Sequence, residues 1–354
     1  MTKWKEIYLE TRAFHLQTSY SDHISIVITT QNQTQQTRRR KVPPRFEEKW
    51  ASNPQCETVI QEAWRVAVRN GSPLSKLFEK IKRFRFSLVD WSHASGASSK
   101  TLLQEKQKQL EDLCSLNSVD HLDPIKGLKV DINNLLHQEE LFWRQRSRSI
   151  WLPAGDKNTK FFHQRASQRR RKNQILGAYD SEGRWGTSED SIAHTAKHYF
   201  QQLFISSHPT AIDGVLNSVD RQVTPGMNAT LLQRHTPEEV KRTLFQMHSS
   251  KSPGPDSMTQ FFFWKYWHIM GHDVTVAVLS ILNSGHMLRK MNHTHIVLIP
   301  KKNDPKHMFD FRPISLSNVV SHIISNVIAN RLKIILPNVI SDASECLCAK
   351  SINH

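Results

Sequence analysis

The chain has 354 residues, with 48 Lys and Arg against 32 Asp and Glu, a formal net charge of +16 and a pI near 9.8. That length has room for two or three domains, each able to bury a core, and a balance this basic calls for a polyanionic partner, most simply nucleic acid. The first thirty residues lack the apolar region of a secretory signal, and Ile24–Ile28 is far too short to cross a bilayer, so no long apolar segment, secretion or membrane partner is expected. Cys56, Cys114, Cys346 and Cys348 form no CxxC pair and read as reduced thiols of an intracellular protein, nuclear or cytoplasmic.

Thr11–Tyr20 and Ile24–Ile28 read as two strands of a hairpin around the corner Ser21-Asp22-His23. Histidine exchanges protons near neutral pH and an acidic neighbour fixes its tautomer, so Asp22 and His23 suit proton transfer; a plain polar turn is the alternative. Gln31–Lys41 is polar and ends in Arg38-Arg39-Arg40-Lys41, followed by Pro43-Pro44: a linker able to lie along phosphates. Asn53-Pro54 then predicts a helix start, with Val59, Ala63, Trp64 and Val66 as its apolar stripe. Ser72-Pro73 opens a second helix through Leu74, Leu77, Phe78, Ile81, Phe84, Leu88 and Trp91, broken at Ala94–Ser99. Leu102–Leu116 and Ile125–Trp151 continue the helical pattern.

Between Glu140 and Asn173 the only acid is Asp156, and Phe142, Trp143, Trp151, Phe161 and Phe162 interleave with arginines. Phosphates want cations and exposed base faces want aromatics; a helix core with a solvated basic face would have the same composition. Gln174–Trp185 reads as a hairpin turning at Asp180–Gly183, and Thr187–Phe204 as an amphipathic helix. His194 and His198 share a face of it at i, i+4 without a third ligand nearby, so no metal site is expected. Thr236-Pro-Glu-Glu239 is a capping box opening a helix to Met247. Lys251-Ser-Pro-Gly-Pro-Asp-Ser257 is a rigid turn. Phe261–Trp267 and Val274–Leu282 are apolar helical stretches. Ile296–Ile299 reads as a short buried strand stopped by Pro300. Phe311-Arg312-Pro313 restarts an extended segment, so Lys301 and Arg312 project from adjacent strands, a point charge and a planar fork suited to a triphosphate. Ser315–Leu336 is a helix burying Val319, Ile323, Ile324, Val327, Ile328 and Leu332.

IPKKNDPKHMFDFRPISLSN at 299–318, with the helix after it, closely resembles the start of the reverse-transcriptase domain in LINE-type (non-LTR) retrotransposon polyproteins, plant ones in particular. The resemblance implies that Lys301 and Arg312 belong to the fingers and contact the incoming nucleotide. WLPAGDKNTKFFHQRASQRRRKN at 151–173 resembles the connector of the same polyproteins, which implies an RNA- or DNA-contacting role for Arg165, Arg169, Arg170, Arg171 and Lys172. KSPGPDS at 251–257 resembles the element before the fingers, placing Lys251 beside nucleic acid, although the family's final glycine is Ser257 here. The tripeptide at 21–23 resembles the SDH motif closing the endonuclease, which makes Asp22 and His23 vestiges of that site.

The family's polymerase works with Mg²⁺ held by palm aspartates, and no Asp-Asp pair occurs in these residues. After Pro337 the match decays. The expectation is therefore an α+β chain, mostly helical: an endonuclease remnant and basic linker at 1–45, a basic helical connector at 46–235 and incomplete fingers at 236–354, truncated before the palm. It would be catalytically inactive, hold no cofactor, and bind RNA or DNA through phosphates. The alternatives are part of an active polymerase whose palm is encoded nearby, and a helical scaffold repurposed to bind an unknown protein.

Overall fold

The computed structural model describes residues 12–16, 25–29, 45–94, 99–115, 122–149, 159–208, 210, 212–217, 222–287 and 291–340. They fall into two units, 1–44 and 45–354. In the first, β1 (Arg12–Leu16) pairs antiparallel with β2 (Ser25–Thr29), Arg12 opposite Thr29 and Leu16 opposite Ser25. Asp22 and His23 lie outside the described residues.

The second unit is mostly helical. α1 (Pro54–Arg65) starts where Asn53 Oδ1 accepts the Gln55 amide at 2.9 Å and proline takes the first turn, which lacks an amide partner in any helix. It buries Cys56, Ile60 and Trp64, one face at four-residue spacing. α2 (Pro73–Ala94) buries Leu74, Leu77, Ile81, Phe84 and Leu88, the stripe legible in the sequence. α3 (Ser99–Ser115) packs on α4 (Leu122–Ser147), and α4 on α5 (Thr159–Lys172). The helix expected to reach Trp151 ends at Ser147, because Arg148 adopts a left-handed φ of 60° that no α-helix continues through. β3 (Ala178–Tyr179) and β4 (Trp185–Gly186) form the expected small hairpin. α6 (Glu189–Leu203), α7 (Ile212–Leu216) and α8 (Pro225–Leu231) follow. α9 (Pro237–Gln246) opens on the complete Thr236/Glu239 capping box. α10 (Gln260–Lys265), α11 (Trp267–Ser284), the antiparallel pair β5 (His295–Pro300) and β6 (Phe311–Leu316), and α12 (Val319–Val339) complete the chain.

One core joins α1 and α2 to α9–α12, so residues from both the expected connector and the expected fingers share it. Asp273 of α11 ties them: its Oδ2 accepts Trp64 Nε1–H at 2.8 Å and Lys80 Nζ at 2.6 Å. Phe46, fully buried, packs edge-on against Phe262 at 4.9 Å, and its amide donates to the Ser257 carbonyl at 3.1 Å. Burying each such ring stabilises the unit by about 2–3 kcal/mol.

Further sequence expectations are corrected. β5 forms, but it is not buried: Ile296 is 54% exposed and Val297 38%. Among the described residues its sheet has two strands, which leaves the apolar run without a full cover there. α12 starts at Val319 because Ser315 and Leu316 belong to β6, and its inward face runs Val319, Val320, Ile323, Ile324, Val327, Arg331 and Ile335. Ile328 and Leu332, expected inside, are 44% and 40% exposed. Arg331 turns that face: it forks onto Glu239 (2.7 and 2.9 Å) and donates to the carbonyls of Leu231, Gln233 and Arg234. Finally, α12 is long and apolar enough by length and composition to cross a membrane, contrary to the expectation that no such segment exists. Here it supplies seven residues to the interior of the unit.

The 251–257 turn packs on the start of α12. A Cβ at Gly254 would lie 2.5 Å from the Ser317 carbonyl carbon, so only glycine permits this approach. Asp256, buried, donates its amide to Asn318 Oδ1 and accepts the Met258 amide on Oδ1, while Oδ2 has no partner; burial pushes this carboxyl up to about 7. Ser257 holds φ at 66°, in the left-handed region that favours glycine. Ser257→Gly is therefore expected to raise stability by about 1 kcal/mol, less the entropy that glycine adds to the unfolded chain. A chemical-denaturation midpoint lower than that of the parent protein would contradict the strain.

Candidate nucleic-acid interface

Strand register decides where Lys301 and Arg312 stand. Ile299 faces Arg312 and the Lys301 amide donates to the Asp310 carbonyl at 2.8 Å. Side chains alternate along a strand, so Lys301, Ile299 and Arg312 share one face of the ladder. Both cations are exposed. Lys301 Nζ folds back onto the Phe309 carbonyl at 2.8 Å, whereas Arg312 makes no ion pair among the described residues.

The loop joining the strands is organised by Asp310. Its Oδ1 meets Lys302 Nζ at 2.9 Å, and its Oδ2 accepts the amides of Lys306 and His307 at 3.0 Å each. Burial alone would raise this carboxyl, but the Lys302 ammonium and the His307 and Lys306 amides outweigh it and hold the pKa down at about 2. A carboxylate whose folded-state pKa lies below its unfolded value contributes stability that is complete above the ordinary carboxylate range and lost as pH falls towards 2. Asp310→Asn is expected to abolish that acid dependence of the loop and lower hydrogen-exchange protection of the Lys306 and His307 amides. Unaltered protection would show that the carboxylate does not organise the turn.

A second basic region forms where α4 ends. Gln145 accepts the Glu48 amide (3.3 Å) and donates to the Phe46 carbonyl (3.0 Å), which holds residues 45–48 against α4. The left-handed turn at Arg148 then directs its guanidinium to Ser252 Oγ, 2.6 Å away in the 251–257 turn. Burial, with the like charges of Arg169 and Arg45, pushes Arg148 down to about 10, only partly offset by Glu48. Burial also lowers Arg169. Arg148 and Arg169, with Lys251, Lys333, Asn326 and Asn330, line a cleft of about 780 Å³ in which none of the described lining residues is Asp or Glu. Crowded, partly desolvated cations gain most from a multivalent anion, because one phosphate oxygen set relieves both the repulsion and the lost hydration.

Of the connector cations named from the sequence, the structure brings Arg169 together with Lys251. Arg170 turns to a groove of about 500 Å³ with Phe142, Trp143 and His163. Arg171 and Lys172 face a smaller one, about 250 Å³, shared with Trp185, Lys302 and Lys306. Arg165 is exposed on α5 and lines none of these. The interleaved aromatics divide: Phe162 is fully buried and belongs to the interior, Trp151 lies outside the described residues, and Phe142 lies under Arg146, whose guanidinium is 3.3 Å from the ring centroid. Sequence reasoning missed Arg45, Arg148 and Lys333. Nothing local marks them, since their neighbours come from segments far apart in the chain.

His194 and His198 are both exposed. Among the described residues no group of three or more His, Cys, Asp or Glu stands close enough to hold a metal ion. Cys56 is a buried free thiol and Cys114 an exposed one.

The chain is similar to the transposon TX1 uncharacterized 149 kDa protein of Xenopus laevis, 27% identical over 197 residues. The match covers 55% of this chain and 15% of that much longer protein. No family model matches the sequence. The chain is thus a distant relative of a transposon protein.

Proposed function

We propose that this chain is a nucleic-acid-binding portion of a LINE-type retrotransposon reverse transcriptase, comprising its basic connector and its fingers. The observation that carries the reading is the carboxylate-free cleft where Arg148, Arg169, Lys251 and Lys333 converge. The order of the connector, KSPGPDS and IPK…FRPISL elements supports it, as does the distant similarity to a transposon protein. In this reading the phosphates of RNA or DNA run across the cleft and α5, with little sequence preference, because phosphate contacts carry no base information. Lys301 and Arg312 take the triphosphate of a nucleotide on their shared face of the β5–β6 hairpin. The 354 residues contain no Asp-Asp pair, and primer extension by this chain alone is expected to be absent. Filter binding of labelled RNA and DNA tests the proposal. Tight binding at low salt that weakens steeply as salt rises is expected, and no retention at low salt would overturn it.

A further inference from the structure

Four aromatic side chains from two distant segments form one ladder. Trp185 stands edge-on to Tyr179 at 4.8 Å, Tyr179 stacks on His307 at 5.2 Å with planes 30° apart, and His307 stacks on Phe309 at 5.1 Å and 7°. Backbone bonds fix the ladder. The Tyr179 amide donates to the Lys306 carbonyl at 2.9 Å, joining β3 to the β5–β6 loop, and Asp310 holds the amides of Lys306 and His307. A core ladder would bury its ends, whereas here Phe309 is 57% exposed and Trp185 43%. The Trp185 end borders the groove lined by Arg171 and Lys172, neither of which makes an ion pair among the described residues, while Asp304, the groove's carboxylate, pairs with Lys306 at 3.4 Å.

We infer that this ladder is a stacking platform for unpaired bases of a single-stranded nucleic acid, with Phe309 receiving the outermost base and Arg171 and Lys172 receiving phosphates beside Trp185. The inference rests on the nucleic-acid reading above and narrows it from polyanion to single strand. A rigid, solvent-facing ring offers a base a π-face at no cost in ordering, and stacking of this kind is indifferent to sequence. A duplex keeps its base faces occupied and gains nothing from it.

The test measures affinity of the full chain for fluorescein-labelled oligouridylate and oligothymidylate, for a duplex of the same length, and for an oligonucleotide of abasic residues that keeps the phosphates alone. Phe309→Ala is expected to weaken single-strand binding about tenfold, leave duplex and abasic binding unchanged, and be rescued by Phe309→Trp. Because Phe309 is exposed, an unchanged thermal melt is expected to accompany the loss. Equal affinity of the parent chain for the abasic and base-bearing strands, or a Phe309→Ala loss shared by the duplex, would overturn the platform while leaving phosphate binding intact. Absence of binding to every one of these probes would overturn both readings.

Discussion

Replacing Arg331 with alanine is expected to lower the stability of the 45–354 unit by about 3 kcal/mol, the lower end of the range for breaking a buried ion pair. Arg331 is 9% exposed, and its fork joins the Glu239 carboxylate that also closes the α9 capping box through the Thr236 amide at 2.8 Å. Its remaining hydrogens satisfy the carbonyls of Leu231, at the end of α8, and of Gln233 and Arg234 in the turn to α9. Alanine leaves the carboxylate without its counter-charge and those carbonyls without donors. Lysine restores charge but not the planar fork, so Arg331→Lys should recover only part of the loss. Differential scanning calorimetry is expected to show a midpoint drop of roughly 4–6 °C for Arg331→Ala. The double variant with Glu239→Ala should lose less than the sum of the two single variants. Strict additivity would show that the pair is not coupled.

The second large effect is on binding. Substituting Arg169, Lys251 and Lys333 together with glutamine removes three cations of the cleft and leaves Arg148, whose hydrogen bond to Ser252 holds the turn. Each phosphate contact on a single strand contributes a slope of about −0.7 in log affinity against log salt, so three lost contacts flatten the slope by about 2 and weaken binding roughly a hundredfold near 0.1 M salt. The cleft side chains are changed without touching the core, so the melt should stay near that of the parent chain. A triple variant with the parent's salt slope would remove the cleft from the binding surface.

Local physics was readable before the fold was known. Asn53-Pro54, Ser72-Pro73 and the Thr236/Glu239 box each announce a helix start through side chains within four residues, and each helix starts there. The α2 stripe followed from periodicity alone, because its buried face is continuous. What depended on partners could not be read. Val297 and Ile314 face each other in a sheet of two strands among the described residues, and a run of β-branched residues does not state how many strands will cover it. On α12 the inward face was set by Glu239, 92 residues away, which drew an arginine inside and left Ile328 and Leu332 out. The basic composition of 140–173 pointed to phosphates, but only the backbone turn at Arg148 selects which arginines converge.

The bond between Trp64 and Asp273 has a consequence for heredity. The helices at 54–94 and those at 237–339 complete a common interior, so neither set is a cassette that exchange of genetic material can move alone. A crossover falling between residues 95 and 235 would hand one half a foreign mate, stranding Asp273 and Lys80 without each other and baring the greasy flank of α11 to water. Descendants of such a crossover should survive only when both halves come from closely matched parents.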